Sequence, residues 1–403
     1  MRIRVIQAAS FLVLAACGSA PSAMVGQDSG EPPFKISPVA TFESPWAMAF
    51  LPGGARALVT EKPGRIWLVD TSTGAKKPIE GAPKVIVSDQ GGLLDIALSP
   101  KFAADRQVYL TYSEPSPNGG SGLALARATL NGSRLSNLKL LWHDPAGGEG
   151  GQFGAIVAFA PDGKSLFLTS GERQRFTPAQ DASQPLGKIL HLTLDGKPAA
   201  GNPGAGKTGS ATVTVTDPPR DTEAAKDARG RTFSWPGPNR TPAETWTSGH
   251  RNPYGLAFDA DGRLWETEMG PRGGDELNLI EPRKNYGWPL VSEGQNYNGT
   301  PIAAPSSRPD LTPAKLSWVP SISPSSLLIY SGNLFPKWKG SGFIGALSGE
   351  ALIRVTFNGE NASKADQWDM GARIRWVGQG PDGGIYLLED GSGARLLKLT
   401  PPR

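Results

Sequence analysis

The strongest constraint on the fold is a unit that occurs six times. A short apolar run meets a turn carrying Pro, Asp or Gly, and a second apolar or aromatic run follows. The unit starts at Pro45 as "PWAMAFLPGGARALVTEKPGRIWLVD", at Gly91 as "GGLLDIALSPKFAADRQVYLTYSE" and at Gly150 as "GGQFGAIVAFAPDGKSLFLTSGE". It returns at Asn252 as "NPYGLAFDADGRLWETEMG", more loosely from Pro324, and last at Ala372 as "ARIRWVGQGPDGGIYLLEDGSGARLLKL". Turns such as "PDG" and "ADG" mark hairpins, because Asp and Gly accept the backbone angles that tight turns need. The 51 glycines and 37 prolines fit a turn-rich chain. No long amphipathic helix separates the units, so radial repetition of antiparallel sheets is expected: an all-β, six-bladed β-propeller. A pair of β-sandwiches is the alternative.

The N-terminus carries a targeting signal. "MRIRVIQAASFLVLAACGSAPSA" has a basic start, an apolar stretch from Ala8 to Ala16, and then Cys17. That stretch is too short to span a bilayer and is typical of a secretory leader. "LAAC" matches a bacterial lipobox, so Cys17 is the expected lipidation site and 1–17 the signal segment. An ordinary signal with an incidental cysteine is the plainer alternative. Cys17 is the one cysteine, which excludes an internal disulfide. Residues 18–36 then form a flexible tether and 37–403 the propeller. The expected location is the periplasm, on the outer membrane, with contact to the membrane only through the lipid. Charge is nearly balanced, 41 Lys+Arg against 37 Asp+Glu, with no basic run interleaved with aromatics, so nucleic-acid binding has no support.

The spacing of units widens once, where residues 196–245 form a polar insertion expected to be a long loop system at one end of the propeller. Inside it "GNPGAGKT", residues 201–208, fits the Walker A pattern. A phosphate loop must run from a strand into a helix, whereas the following "GSATVTVTDPP" alternates like a strand and ends in two prolines. The match is rejected. His143, His191 and His250 lack metal-ligand spacing, and His191 in "KILHLTL" reads as a strand residue.

Polar residues crowd both ends of the fourth hairpin: Arg251 and Asn252 before it, Glu268, Asp275 and Glu276 after it. In "MGPRGGDE" glycines and a proline leave carbonyls free to face a cation, an oxygen-rich arrangement suited to calcium; charged surface loops are the plainer reading. "GHRNPYGLAF", "EMGPRGGDELNLI" and "KNYGWP" together resemble the soluble quinoprotein aldose (glucose/sorbosone) dehydrogenases. "DQGGLLDIALSPKF", "QFGAIVAFAPDG", "KWKGSGFIGALSG" and "ARIRWVGQGPDGGIYLLED" follow in that family's order, from about residue 38 to 400 apart from the insertion. The resemblance implies a six-bladed propeller using pyrroloquinoline quinone (PQQ) and calcium.

It also implies roles. Gln90 falls where a glutamine lies near the quinone, and Arg251 and Asn252 where the family contacts cofactor and reacting centre. Gly270 and Pro271 match the carbonyls that hold calcium. Arg373 and Arg375 match paired arginines that clamp cofactor carboxylates, and Asp390 an aspartate ending the next strand. Three positions depart. The family's general base, a His opening "HFGGRIAF", is Gln152 here, and the Arg four residues on is Ile156. The usual Lys after "FIGAL" is Ser348, and the Asp after "RIR" is Trp376. A carboxamide can hold a substrate hydroxyl but cannot take its proton near neutral pH, and losing a general base costs about 10²–10⁴ in rate. Glu149 and Asp144 are the candidate substitutes. The expected function is PQQ-dependent oxidation of aldose sugars or related sugar alcohols, with electrons passing to an unidentified acceptor. A non-catalytic propeller that binds sugar or a protein partner is the second reading.

Overall fold

The computed structural model describes residues 32–117, 119–218 and 229–402. The leader and Cys17 lie outside the described residues. Each of the six units is a four-stranded antiparallel sheet, and the six sheets are the blades of a β-propeller. Blade 1 runs outward through Pro45–Phe50, Arg56–Glu61, Arg65–Asp70 and Lys76–Ile79. The inner strands of blades 2 to 6 are Leu93–Leu98, Gly154–Phe159, Pro253–Phe258, Pro324–Ile329 and Ile374–Gln379. Blade 6 takes its outer strand from the front of the chain: Lys35–Glu43 pairs with Ser392–Thr400. This closure leaves no broken sheet where the ring meets itself. It also corrects the tether boundary, because Phe34 is already buried, packed edge-on against Trp338 and Trp368.

The alternating strands bury one face of each sheet against the next blade. Hydroxyls add a second tie that the hydrophobic pattern does not show. Thr60, Thr111 and Thr169 occupy equivalent places on the second strands of blades 1, 2 and 3. Each donates to a carbonyl on the inner strand of the following blade: Leu94 at 2.7 Å, Ala155 at 2.7 Å and Pro253 at 3.0 Å. Such buried bonds are worth about 1 kcal/mol each and fix blade-to-blade register.

The insertion is more ordered than a loop system. Its Thr212–Thr216 and Gly230–Ser234 pair as a hairpin. Val213, Val215 and Phe233 bury against Ala146, so the hairpin covers the segment leading to Gln152. Thr245–Ser248, which opens at the insertion's last residue, is the outer strand of blade 3. The Walker-like stretch forms turns and leads into a strand, as expected. His191 sits on Lys188–Thr193, stacked on Phe167 and hydrogen-bonded to Asn202 and Ser165.

Candidate active site

In every blade the register between the first two strands slips immediately after the first residue pair of the inner strand. Pro45, Leu93, Gly154, Pro253, Pro324 and Ile374 all precede such a bulge. A bulge re-aims side chains and ends regular pairing. At this one end of the propeller lie the residues preceding the inner strands and those following the second strands. Gln90, Gln152, Arg251, Asn252 and Arg373 are of the first kind; Glu172, Gly270, Pro271 and Asp390 are of the second.

Gln152 is buried, and its φ of 56° is left-handed, a conformation costing a non-glycine residue about 1 kcal/mol. In the orientation that satisfies both ends of its carboxamide, Nε2 donates to Glu172 Oε1 and Oε1 accepts from Arg251 Nη2 at 2.8 Å. Its backbone N–H donates to Gln90 Oε1 at 2.9 Å. That same oxygen accepts from the Tyr254 hydroxyl at 2.7 Å and faces Asn252 Nδ2 at 3.4 Å. Glu172 is buried too. Desolvation lifts its pKa, while the charge of Arg251 and backbone N–H groups of Phe176, Arg175 and Gln174 act against the rise.

Tyr254 continues the chain of contacts to the arginine pair. Its ring meets Trp46 edge-on at 5.5 Å, and Arg375 lies over Trp46 at 4.3 Å. Arg375 and Arg373 both bind Asp390, at 2.9 and 3.0 Å. Burial pushes the Asp390 pKa up, but Arg375 and Arg373 outweigh it and hold the carboxylate below its usual range. Lys62 completes this flank, its ammonium donating to the Asp89 carbonyl at 2.9 Å.

On the other side Arg251 is held by carbonyls. Its Nη1 donates to Met269 at 3.0 Å and to Gly270 at 2.6 Å, and its guanidinium lies 5.2 Å from the Trp288 ring. The Gly270 carbonyl therefore serves Arg251 in this structure. Behind it is a buried acidic group. Asn278 Nδ2 reaches Glu266, Glu268 and Glu276 at 3.1, 3.2 and 3.1 Å, and His250 Nδ1 lies 3.1 Å from Glu268. Ligand atoms of His250, Glu266 and Glu268 lie within 4.8 Å of one another. Burial, then the charge of Glu268, raises the pKa of both Glu266 and Glu276 well above the carboxylate range.

The segment that presents Gln152 is fixed by two buried arginines. Arg173 donates to the carbonyls of Ser121, Gly148, Gly150 and Gly151 at 2.8–3.3 Å and stacks on Phe153 at 3.8 Å. Arg175 donates to the carbonyls of Gly147 and Glu149. Desolvation, then the charge of Arg175, lowers the Arg173 pKa to about 9. The two candidate substitute bases lie apart from the Gln152 carboxamide, whose partners are Glu172 and Arg251. Glu149 is exposed, and Asp144 is a buried counter-charge to these arginines; neither contacts Gln152 among the described residues.

The model of the Glucose / Sorbosone dehydrogenase family matches residues 42–225 and 234–398. The chain belongs to this family. It is 34% identical over 370 residues to the aldose sugar dehydrogenase YliI of Escherichia coli, covering 89% of this chain and 90% of that one. The apo crystal structure of the soluble aldose sugar dehydrogenase from E. coli superimposes with a TM-score of 0.79 at 32% identity. That match covers 92% of this chain and all (100%) of the other. The PQQ-bound aldose sugar dehydrogenase from Streptomyces coelicolor matches with a TM-score of 0.68 at 28% identity over 92% of this chain and 99% of its own. Glu172, Tyr254 and Lys62 lie at the same end, against Gln152, Gln90 and Asp89, and no sequence motif marks them. Glu172 ends the third unit, "TSGE"; by strand register it matches Gly270, while Ser170 takes the place of Glu268, so the repeat itself did not single Glu172 out.

Proposed function

We propose that this protein is a PQQ-dependent dehydrogenase oxidising aldose sugars or related sugar alcohols. The observation that carries the proposal is the unbroken contact path from Arg251 through Gln152, Gln90, Tyr254 and Trp46 to Arg375 and Asp390. The path lines one end of the propeller with cations, carboxamides and a carboxylate. These residues fit a flat, polyanionic quinone: Arg373 and Arg375 share one carboxylate between two guanidiniums, leaving net positive charge for an anion. Gln90 and Asn252 present amides at the centre. Bound PQQ would supply the hydride acceptor for the substrate's C–H bond.

This chain's residues do the rest. Arg251 stabilises negative charge developing on the substrate oxygen. Gln152 holds the substrate hydroxyl and cannot accept its proton. Glu172, against the Nε2 of the same carboxamide, is the proton acceptor in this reading; the hydroxyl lies between the two side chains and gives its proton to Glu172 directly, a task its raised pKa suits. Gly270 and Pro271 are the proposed calcium ligands, which requires Arg251 to release the Gly270 carbonyl. A lipid anchor at Cys17 and a periplasmic location are part of the same proposal.

Gln152 in place of a basic group favours a second reading, a propeller that binds sugar or a partner without turnover. Reconstitution with calcium and PQQ, followed by dye reduction with a panel of aldoses, tests the first. Aldose-dependent dye reduction supports it. Quinone binding with no turnover on any aldose favours the second, and no quinone binding at micromolar PQQ overturns the first.

A further inference from the structure

Lys62 follows the second strand of blade 1 and is wedged between two site elements. Its backbone N–H donates to the Ser44 carbonyl and its own carbonyl accepts from Leu93, so both ends of the residue are pinned. Its ammonium is tied to the carbonyl of Asp89, the residue before Gln90. The side chain is half-buried, has no ion pair among the described residues, and stands in the field of Arg375. Burial, then the like charge of Arg375, lowers its pKa, with the carboxylates of Asp390 and Asp89 opposing.

Lys62 thus stands in the field of Arg375 and of Asp390, the carboxylate that Arg373 and Arg375 already share. Holding an unpaired ammonium beside a guanidinium is unfavourable in the empty protein, and an incoming anion relieves it. Ser348, where the resembled family has lysine, spends its hydroxyl on Ser323 Oγ and the Ser321 carbonyl.

We infer that Lys62 is a ligand-binding residue: it supplies, from the blade 1 flank, the third cation for the carboxylates of the quinone. The inference rests on the proposed PQQ function and assigns the charge that Ser348 does not provide. A half-buried ammonium facing a carboxylate is worth more than an exposed pair, because less water screens it.

The test is equilibrium binding read by tryptophan fluorescence, without turnover, using PQQ and its trimethyl ester, which lacks the anionic charges. Lys62→Gln is expected to raise the Kd for PQQ about tenfold or more, Lys62→Arg to stay near wild type, and the ester's Kd to be unchanged in both. Equal PQQ affinity in wild type and Lys62→Gln overturns the inference while leaving the proposed function standing. So does an equal loss for acid and ester, which marks a structural role. A wild-type protein that binds no PQQ overturns the proposed function itself, and the inference with it.

Discussion

The carboxamide of Gln152 donates a hydrogen bond to the carboxylate of Glu172. One residue stands just before the inner strand of blade 3, the other just after its second strand, so the blade's first hairpin fixes their approach. Glu172 is held in turn by the backbone N–H groups of Gln174 at 2.9 Å and of Phe176. A carboxylate so anchored would orient an imidazole at position 152 as readily as it orients the amide.

Gln152→His is therefore expected to raise kcat by about 10²-fold or more, the range general-base catalysis supplies. PQQ affinity should not change. Dye-linked steady-state kinetics with a responsive aldose measure the first, and a binding titration the second. A lower kcat with intact cofactor binding would show that the amide itself is required.

Glu172→Gln is expected to lower kcat by at least about 10²-fold, whereas Glu149→Gln leaves it unchanged. Because Glu172 must be ionised to accept a proton, and burial raises its pKa, the wild-type rate should climb with pH through a limb shifted upward from the ordinary glutamate value. In Glu172→Gln that limb should vanish. A limb that persists in the variant assigns the base elsewhere.

Arg173 offers its donors to three carbonyls on the segment that presents Gln152, those of Gly148, Gly150 and Gly151, and to that of Ser121 in blade 2. Arg173→Ala leaves those buried acceptors unsatisfied and is expected to cost about 3–5 kcal/mol, read from urea unfolding. Arg173→Lys recovers only part, since one ammonium cannot span the fork.

Asp95 ties blade 2 to blade 3, accepting from Val157 N–H at 2.8 Å and from Ile96 N–H at 2.9 Å. Burial outweighs these bonds and raises its pKa from 3.8 to about 6. Between those values the folded protein binds more protons at this site than the unfolded chain. The contribution is full below the unfolded pKa and is lost as pH rises through about 6. Relative to Asp95→Asn, wild type should thus gain on the order of 2 kcal/mol between pH 7 and pH 4. Paired urea titrations at the two pH values check the sign.

The ring of blades was legible because hairpins repeat, and the turn residues and alternation that make a hairpin are local. Gln90, Asn252, Arg373, Arg375 and Asp390 were legible through resemblance, and the structure gathers them along one contact path. What stayed hidden depended on distant strands meeting. Tyr254 reads as an ordinary apolar strand residue until its hydroxyl reaches Gln90, 164 positions away in sequence. Lys62 sits in a plain "EKPG" turn, and only ring closure carries it beside Arg375. Glu149 and Asp144 are candidates in the sequence only because they lie close to Gln152 along the chain. One is exposed and the other is buried beside arginines, whereas the hairpin brings Glu172, 20 residues downstream, against the Gln152 carboxamide.

The most direct test of the account is anaerobic single turnover: protein loaded with calcium and PQQ is mixed with one aldose at a time and the quinone absorbance followed. The account predicts that at least one aldose converts the oxidised to the reduced spectrum in one turnover. It also predicts a slow rate in wild type that accelerates in Gln152→His. A quinone that binds but keeps its oxidised spectrum with every aldose, in both proteins, would contradict it.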